Sequence, residues 1–186
     1  MAIYFDMDEV LFSFTQGACN LYGIDYNLFQ EQRKTGTYLA AQNLASTPEA
    51  FKSRIDNAGT AFWRNLPMYP WTFSLFQKID EYGITILTTP FFGSNNSRIG
   101  KLQSIQQVCD LMCIKFPSVC FADDKGKLSS PDDLLLDDKM VGNWQGELLQ
   151  FPTRLIHNHG SPELTDEGIF NFIFKTVYPK LKEYKE

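Results

Sequence analysis

The sequence predicts an α/β fold in which helices flank a parallel β-sheet. Short apolar segments rich in β-forming residues alternate with amphipathic helical patterns, which is the order expected for a parallel sheet. The chain has 186 residues, of which 44% are hydrophobic, so it is long enough to bury a full core as one domain. Acidic and hydroxyl side chains directly follow several apolar segments, and in parallel sheets such strand ends bind ligands.

Five apolar segments are the predicted strands, and they lie at residues 2–5, 84–88, 118–122, 134–136 and 154–157. Between them, apolar residues recur at helical spacing over 71–82 and 99–112. A last helix is predicted to begin near Thr165, because acidic residues follow it and lysines lie at its far end. Pro179 is expected to bend or interrupt that helix.

The gap between the first two predicted strands is unusually long. It covers residues 6–83, whereas a single crossover helix needs about a dozen residues. Within it, Thr47, Pro48 and Glu49 have the pattern of an N-cap, a first-turn proline and an acidic first turn. We therefore predict a small helical cap over 14–69, inserted into a core formed by 1–13 and 70–186.

Composition and charge argue against several classes of protein. The net charge is −5 and no lysine and arginine cluster precedes the C-terminus, which argues against a partner of duplex nucleic acid. No apolar run approaches the roughly 20 residues of a membrane span, and no basic segment precedes a long apolar one at the N-terminus. A cytoplasmic protein is expected. The cysteines form no Cys-x-x-Cys pair and are expected to be free thiols.

Asp6 and Asp8 follow the first predicted strand and lie two residues apart. On an extended backbone such side chains point the same way, so both carboxylates can converge on one small volume. This crowding is favourable when a divalent cation bridges them or when one carboxyl stays protonated as an acid. Both conditions suit a phosphatase.

Polar residues also end the second and fourth predicted strands, namely Thr88 with Thr89, and Asp137 with Asp138. Aspartates commonly begin turns and threonines are ordinary strand residues, so each segment alone has a structural explanation. Because the ends of parallel strands open on one edge, we expect these segments to form one acidic, hydroxyl-lined site together with Asp6.

The motifs resemble those of the haloacid dehalogenase superfamily of phosphatases, and within it they are most similar to the 5′(3′)-deoxyribonucleotidases. The similar segments are Asp6-Met7-Asp8-Glu9-Val10, Ile86-Leu87-Thr88-Thr89-Pro90 and Asp133-Leu134-Leu135-Leu136-Asp137-Asp138. The resemblance spans most of the chain, strongly at the motifs and weakly through the cap. It implies a Rossmann-like core and a Mg²⁺-dependent enzyme that removes phosphate from deoxynucleoside 5′- or 3′-monophosphates. Because related nucleotidases are often dimeric, a homodimer is one assembly that it implies.

The resemblance also implies roles for the four aspartates. Asp6 is the nucleophile that forms an aspartyl-phosphate, and Asp8 protonates the leaving oxygen and later activates water. Mg²⁺ is held by Asp6, the backbone carbonyl of Asp8 and Asp137, and Asp138 orients these ligands.

Thr88 and Thr89 are implied to bind the phosphate through hydroxyl and backbone N–H groups. A lysine compensates the charge of the phosphoryl oxygens. By its distance from Asp137, Lys127 matches the family better than Lys125, which remains the alternative.

The cap is implied to select the substrate. Phe14 matches an aromatic residue that packs beside the base, and Thr37 and Tyr38 align with the segment that closes over it. Phe62 and Trp63 are a further candidate wall, although adjacent aromatic residues at such a junction are more often simple packing. Glu9 stands where the family most often has glycine, and we expect it to affect closure rather than chemistry.

Three alternatives remain open at this stage. One is a related phosphatase for another small phosphate ester, with the same core and a different cap. The others belong to different classes, namely a phospho-acceptor signalling module and a non-catalytic nucleotide sensor. The Gly-Lys sequence at 100–101 is not a P-loop, because the glycine spacing is too long and Leu102 replaces the required hydroxyl residue.

Overall fold

The computed structural model describes residues 1–29, 44–152 and 165–185. Its centre is a five-stranded parallel sheet with the spatial order β3-β2-β1-β4-β5. In chain order the strands are β1 (Ile3–Phe5), β2 (Thr85–Thr88), β3 (Val119–Phe121), β4 (Leu134–Asp137) and β5 (Glu147–Gln150). The predicted α/β architecture with a parallel sheet is therefore confirmed.

Helices lie between strands and after the last strand. They are α1 (Phe14–Tyr22), α2 (Pro48–Asn57), α3 (Gly59–Arg64), α4 (Thr72–Tyr82), α5 (Asn95–Met112), α6 (Asp166–Phe172) and α7 (Tyr178–Lys185). Residues 26–29 are also helical. Two 3₁₀ turns follow strands, at Phe91–Gly93 and Lys125–Leu128. No helix in the described ranges combines the length and apolarity of a membrane-spanning segment.

The helix boundaries follow local sequence signals. The side chains of Ser13, Thr47 and Thr165 accept hydrogen bonds from first-turn amides of α1, α2 and α6, as N-caps do. Before Pro179, the last helix widens into a π-helical turn, Ile173–Val177, and then continues as α7. Proline lacks an N–H and crowds the preceding turn, which explains this local irregularity.

The sheet order creates a crevice between β1 and β4. The chain runs outward from β1 through β2 to β3 and then returns to place β4 on the other side of β1. Such a reversal is where α/β sheets bind ligands, outside the carboxyl ends of the strands. Phe5 pairs with Leu136, so Asp6 and Asp137 are level across the crevice.

One strand differs from the sequence prediction. β5 forms the edge of the sheet beside β4, yet Glu147–Gln150 has polar ends and is half-exposed, so it carries little apolar signal. The strand predicted at 154–157 lies outside the described residues. Helix α5 begins at Asn95, one turn before the predicted start. The apolar pattern did not reveal this first turn, because its residues are polar.

The described part of the predicted cap region packs directly on the core. Buried side chains of this region and of the sheet form one continuous hydrophobic cluster, which includes Phe51, Ile55 and Trp63. Helices α3 and α5 approach closely at Gly100, where an added Cβ would lie 2.4 Å from the Cβ of Trp63. A glycine is required there by space.

Candidate active site

Three aspartates meet at the carboxyl ends of β1 and β4. One carboxylate oxygen each of Asp6, Asp137 and Asp138 lies within 4.8 Å of the others, and all three residues are buried. The amide of Asp6 donates to the carbonyl of Leu136 at 2.8 Å, which continues the β1–β4 pairing to the site. These three aspartates therefore lie together at the edge of the sheet where the sequence predicts a site.

A buried lysine bridges two of these carboxylates. The Nζ of Lys125 lies 2.7 Å from Oδ1 of Asp6 and 2.6 Å from Oδ2 of Asp137. Burial alone would lower the pKa of Lys125, but the two carboxylates outweigh it and raise the pKa to about 12. Lys125 is therefore a fixed positive charge inside the acidic cluster.

Lys127, which the sequence favours as the site lysine, lies outside the acidic cluster, whereas Lys125 lies inside it. The Lys127 side chain is 80% exposed, and its Nζ lies 3.7 Å from a carboxylate oxygen of Asp124. The 3₁₀ turn Lys125–Leu128 explains the difference, because residues two apart on such a turn point in different directions. Sequence distance from Asp137 was a poor guide, since it ignored this turn.

Asp137, at the end of β4, and Asp138, which follows it, both have raised pKa values. Burial, followed by the charge of Asp6, raises the pKa of Asp138 to about 8. Burial and Asp6 also raise the pKa of Asp137, although Lys125 opposes this shift. Without a further cation, like charges in this small volume favour protonated carboxyls.

The donor set fits a small divalent cation. Carboxylate oxygens are the ligands that Mg²⁺ prefers, and one cation can bridge Asp6, Asp137 and Asp138. Among the described residues, the buried Oδ1 of Asp138 has no hydrogen-bond partner, as expected for an oxygen reserved for a ligand. The predicted ligation by the backbone carbonyl of Asp8 stays a prediction.

A second buried lysine holds Asp8. The fully buried Lys101 of α5 donates to Oδ2 of Asp8 at 2.6 Å, to Oγ1 of Thr88 at 2.9 Å and to the carbonyl of Thr89 at 2.8 Å. Its Nζ also lies 5.3 Å from the centre of the Trp63 ring. Lys101 thus joins the ends of β1 and β2 and fixes one oxygen of Asp8.

Sequence reasoning missed Lys101 as a site residue. It considered the Gly-Lys sequence only as a P-loop, which the structure does not form at this helical position. The available signal was periodicity, because Lys101 precedes Ile105 and Val108 by four and seven residues on the buried face of α5. A lysine on such a face needs buried polar partners, which here are the site residues.

An aromatic cavity opens beside Asp8. It has a volume of about 930 Å³, and its aromatic lining residues are Phe14, Trp63, Phe91 and Phe92. Phe14 stacks on Trp63 with ring centres 5.5 Å apart and an interplanar angle of 22°. The predicted cap residue Phe14 therefore lies in a cavity next to the carboxylates.

A smaller cavity of about 310 Å³ is lined by Asp6, Asp137 and Lys125, whereas Asp138 lines the aromatic cavity. Asp8, Thr89 and Lys139 line both cavities, so the two volumes adjoin. Burial would lower the pKa of Lys139, but Asp138 and then Asp6 outweigh it and raise the pKa. A positive charge thus lies between the acidic and aromatic cavities, at a residue that sequence reasoning did not select.

Two predicted substrate-binding residues, Thr37 and Tyr38, lie outside the described residues. Thr88 is buried at the end of β2, with its hydroxyl accepting from Lys101, whereas Thr89 is exposed toward both cavities. A hydroxyl that accepts one bond keeps its own proton for a further acceptor.

Comparison of the sequence with protein-family models and with curated proteins gives no match. The arrangement of charges and cavities therefore carries the functional argument.

Proposed function

We propose that this protein is a Mg²⁺-dependent phosphatase of the haloacid dehalogenase type that acts on deoxynucleoside monophosphates through an aspartyl-phosphate. The observation that carries the proposal is the junction of two adjoining cavities. One is lined by Asp6, Asp137 and Lys125, and the other by aromatic rings together with Asp138. A phosphate next to a flat apolar group is the ligand that matches both.

Asp6 is the proposed nucleophile. Its carboxylate oxygen attacks phosphorus, the bond to the ester oxygen breaks, and the phosphoryl group is transferred to Asp6. Attack on an anionic phosphate requires compensation of its charge, and Lys125 supplies a buried ammonium 2.7 Å from Asp6. Bound by Asp6, Asp137 and Asp138, Mg²⁺ would neutralise further charge on the phosphoryl oxygens.

Asp8 is the proposed general acid and base. Lys101 binds its Oδ2, while the buried Oδ1 has no partner among the described residues. We assign the proton to Oδ1. It passes to the leaving oxygen, and the resulting carboxylate then accepts a proton from the water that attacks the aspartyl-phosphate. Free phosphate leaves, and Asp6 and Asp8 return to their starting forms.

The aromatic cavity is the proposed site of the nucleobase. Phe14 and Trp63 supply apolar faces, and the ring centres of Phe91 and Trp63 are 5.4 Å apart. The planar base of a substrate can therefore bury its faces against these rings. Residues 14–69 would then act as a cap that selects the leaving group. A phosphatase with a non-aromatic sugar phosphate as substrate would gain little from this lining.

The aspartyl-phosphate is tested by rapid acid quench. The protein is mixed with a radiolabelled deoxynucleoside 5′-monophosphate and Mg²⁺, and the peptide that contains Asp6 is analysed. We expect transient label on Asp6 in the unmodified chain and none in the Asp6→Asn variant. Product formation without label on Asp6, at times that resolve a single turnover, would exclude the proposed covalent mechanism.

A further inference from the structure

A further buried charged residue, Glu9, lies beside the site and is not used by the proposed mechanism. Glu9 is 3% exposed and adopts a φ of 61°, in the left-handed region that favours glycine. Its Oε1 accepts from the amide of Thr15 at 2.7 Å and from the Thr15 hydroxyl at 2.6 Å. Its Oε2 accepts a short hydrogen bond from the hydroxyl of Tyr69.

These partners lie on the two connections between the core and the inserted residues 14–69. Thr15 is in the first turn of α1, where the chain leaves the core, and Tyr69 is where the chain returns. The connections also contact each other, because the amide of Ser13 donates to the carbonyl of Pro67 at 2.8 Å. Glu9 therefore joins both connections to the loop that carries Asp8.

Glu9 is an unfavourable residue for its position unless its side chain has a use. Burial raises the pKa of its carboxyl, while the hydrogen bonds from Thr15 and Tyr69 lower it. Glycine would satisfy the backbone without strain and without a buried carboxyl. The three hydrogen bonds are the gain that offsets both costs.

We propose that Glu9 is a positioning residue that fixes the aromatic wall relative to the Asp8 loop. Glu9 follows Asp8 directly, and its partner Thr15 follows Phe14, so one side chain sets the spacing between acid and wall. The inference rests on the proposed function and adds that the cap selects its substrate only while Glu9 holds both connections. Asp8 itself keeps its separate support from Lys101.

Two substrates separate positioning from chemistry. A deoxynucleoside 5′-monophosphate uses the phosphate site and the aromatic wall, whereas acetyl phosphate reaches only the phosphate site. The variants are Glu9→Gly, which suits the backbone, Glu9→Gln, which keeps one acceptor oxygen, and Tyr69→Phe. Tyr184→Phe is the matched control, because it removes a hydrogen bond from a tyrosine to Glu147 at the opposite end of the sheet.

We expect Glu9→Gly and Tyr69→Phe to lower kcat/KM for the deoxynucleotide by about tenfold or more, mainly through KM. Their kcat/KM for acetyl phosphate should stay within about twofold of the value for the unmodified protein. Loss of the Glu9 hydrogen bonds leaves the phosphate site assembled. Glu9→Gln should recover part of the deoxynucleotide activity. Equal losses for both substrates, or unchanged kinetics in folded Glu9→Gly, would overturn the proposal. If Glu9→Gly fails to fold, the same comparison on Tyr69→Phe decides.

Amide hydrogen exchange tests whether Glu9 holds the two connections together, without relying on catalysis. Exchange should become faster over residues 10–15 and 66–72 in Glu9→Gly and Tyr69→Phe, and stay unchanged there in Tyr184→Phe. If exchange is faster over these residues in the two variants but the unmodified protein hydrolyses no nucleotide, the proposed function is refuted and the role of Glu9 in joining the connections is retained. Unchanged exchange would refute the role of Glu9, whatever the activity.

Discussion

At the scale of single residues, the site depends on buried lysines as much as on buried aspartates. Lys125 forms ion pairs with Asp6 and Asp137, and Lys101 forms one with Asp8. Burying one of these charges alone would cost several kcal/mol, whereas paired and hydrogen-bonded charges are tolerated. The lysines therefore allow these carboxylates to lie close together in a buried site.

Lys125 and Lys127 form a natural pair of test positions. Lys125→Met keeps the volume of the side chain and removes its charge, so we expect kcat to fall by about 100-fold or more. Lys127→Met should change kcat by less than about twofold, because that side chain is exposed. Steady-state phosphate release measures both. A large loss in Lys127→Met with little loss in Lys125→Met would restore the assignment made from sequence distance.

Asp6 is tested by removal of its nucleophilic oxygen. Asp6→Asn should abolish turnover, because a neutral amide cannot form the aspartyl-phosphate. The variant should still unfold cooperatively, since asparagine has nearly the same shape and Lys125 keeps Asp137 as a partner. Activity and thermal unfolding of one preparation provide the comparison. A fully active variant would refute the mechanism.

The raised pKa of Asp138 predicts how the free energy of unfolding depends on pH in the absence of divalent cations. Its pKa of about 8 in the folded protein is above the ordinary value of 3.8, so the folded chain retains a proton that the unfolded chain loses. Stability should therefore be highest below about pH 4 with respect to this group, and should fall as pH rises toward 8. Asp138→Asn, which resembles the protonated form, should weaken this dependence.

Thermal unfolding between pH 5 and 9 in EDTA checks the prediction for Asp138. Added Mg²⁺ should raise the unfolding temperature of the unmodified protein at pH 8 more than that of Asp138→Asn, because binding favours the ionised carboxylate. Identical pH profiles for both proteins would show that Asp138 does not titrate in this range.

At the scale of secondary structure, the packing of α3 on α5 positions two side chains of the site. Trp63 of α3 lines the aromatic cavity, and Lys101 of α5 binds Asp8. The close approach at Gly100 brings these residues together, with the Nζ of Lys101 5.3 Å from the Trp63 ring centre. A change in this helix spacing should therefore alter the site as well as the stability.

Gly100→Ala tests this helix contact. The added Cβ would lie 2.4 Å from the Cβ of Trp63 and 2.6 Å from the carbonyl oxygen of Thr60, so the helices must move apart. We expect a loss of about 1–3 kcal/mol in the free energy of unfolding and a higher KM for the deoxynucleotide. Gly142→Ala is the control, since its Cβ would meet no atom within 4 Å. Equal stability of both variants would contradict tight packing at Gly100.

Short-range sequence signals predicted the elements that build the acidic edge of the sheet. The strands β1, β2 and β4 are predicted by apolar, β-forming segments that alternate with helical patterns. The position of the site is predicted by the aspartates that follow β1 and end β4. β5 was missed because its stability comes from pairing with β4, which a weak apolar pattern does not reveal. Lys101 was missed because its partners come from distant segments and meet it only in the folded chain.

At the scale of the whole molecule, one long connection between two strands explains the shape of the site. Residues 6–84 connect β1 to β2, and the helices in this segment supply Phe14 and Trp63 to a cavity beside Asp8. The carboxylates lie at the carboxyl edge of the parallel sheet, and Lys101 of α5 and Lys125 of the 3₁₀ turn after β3 reach them from outside the strands. In the proposed enzyme, reaction chemistry and substrate choice would then reside in separate parts of the chain.

Phosphate release from a substrate panel tests whether this chain is a deoxynucleotide phosphatase. The panel contains 5′- and 3′-monophosphates of deoxy- and ribonucleosides beside sugar phosphates, each with Mg²⁺ and with EDTA. We predict fast release from deoxynucleotides that EDTA abolishes, and slow release from sugar phosphates. Activity confined to sugar phosphates would contradict the role of the aromatic cavity, and no release from any compound would contradict the proposed catalysis.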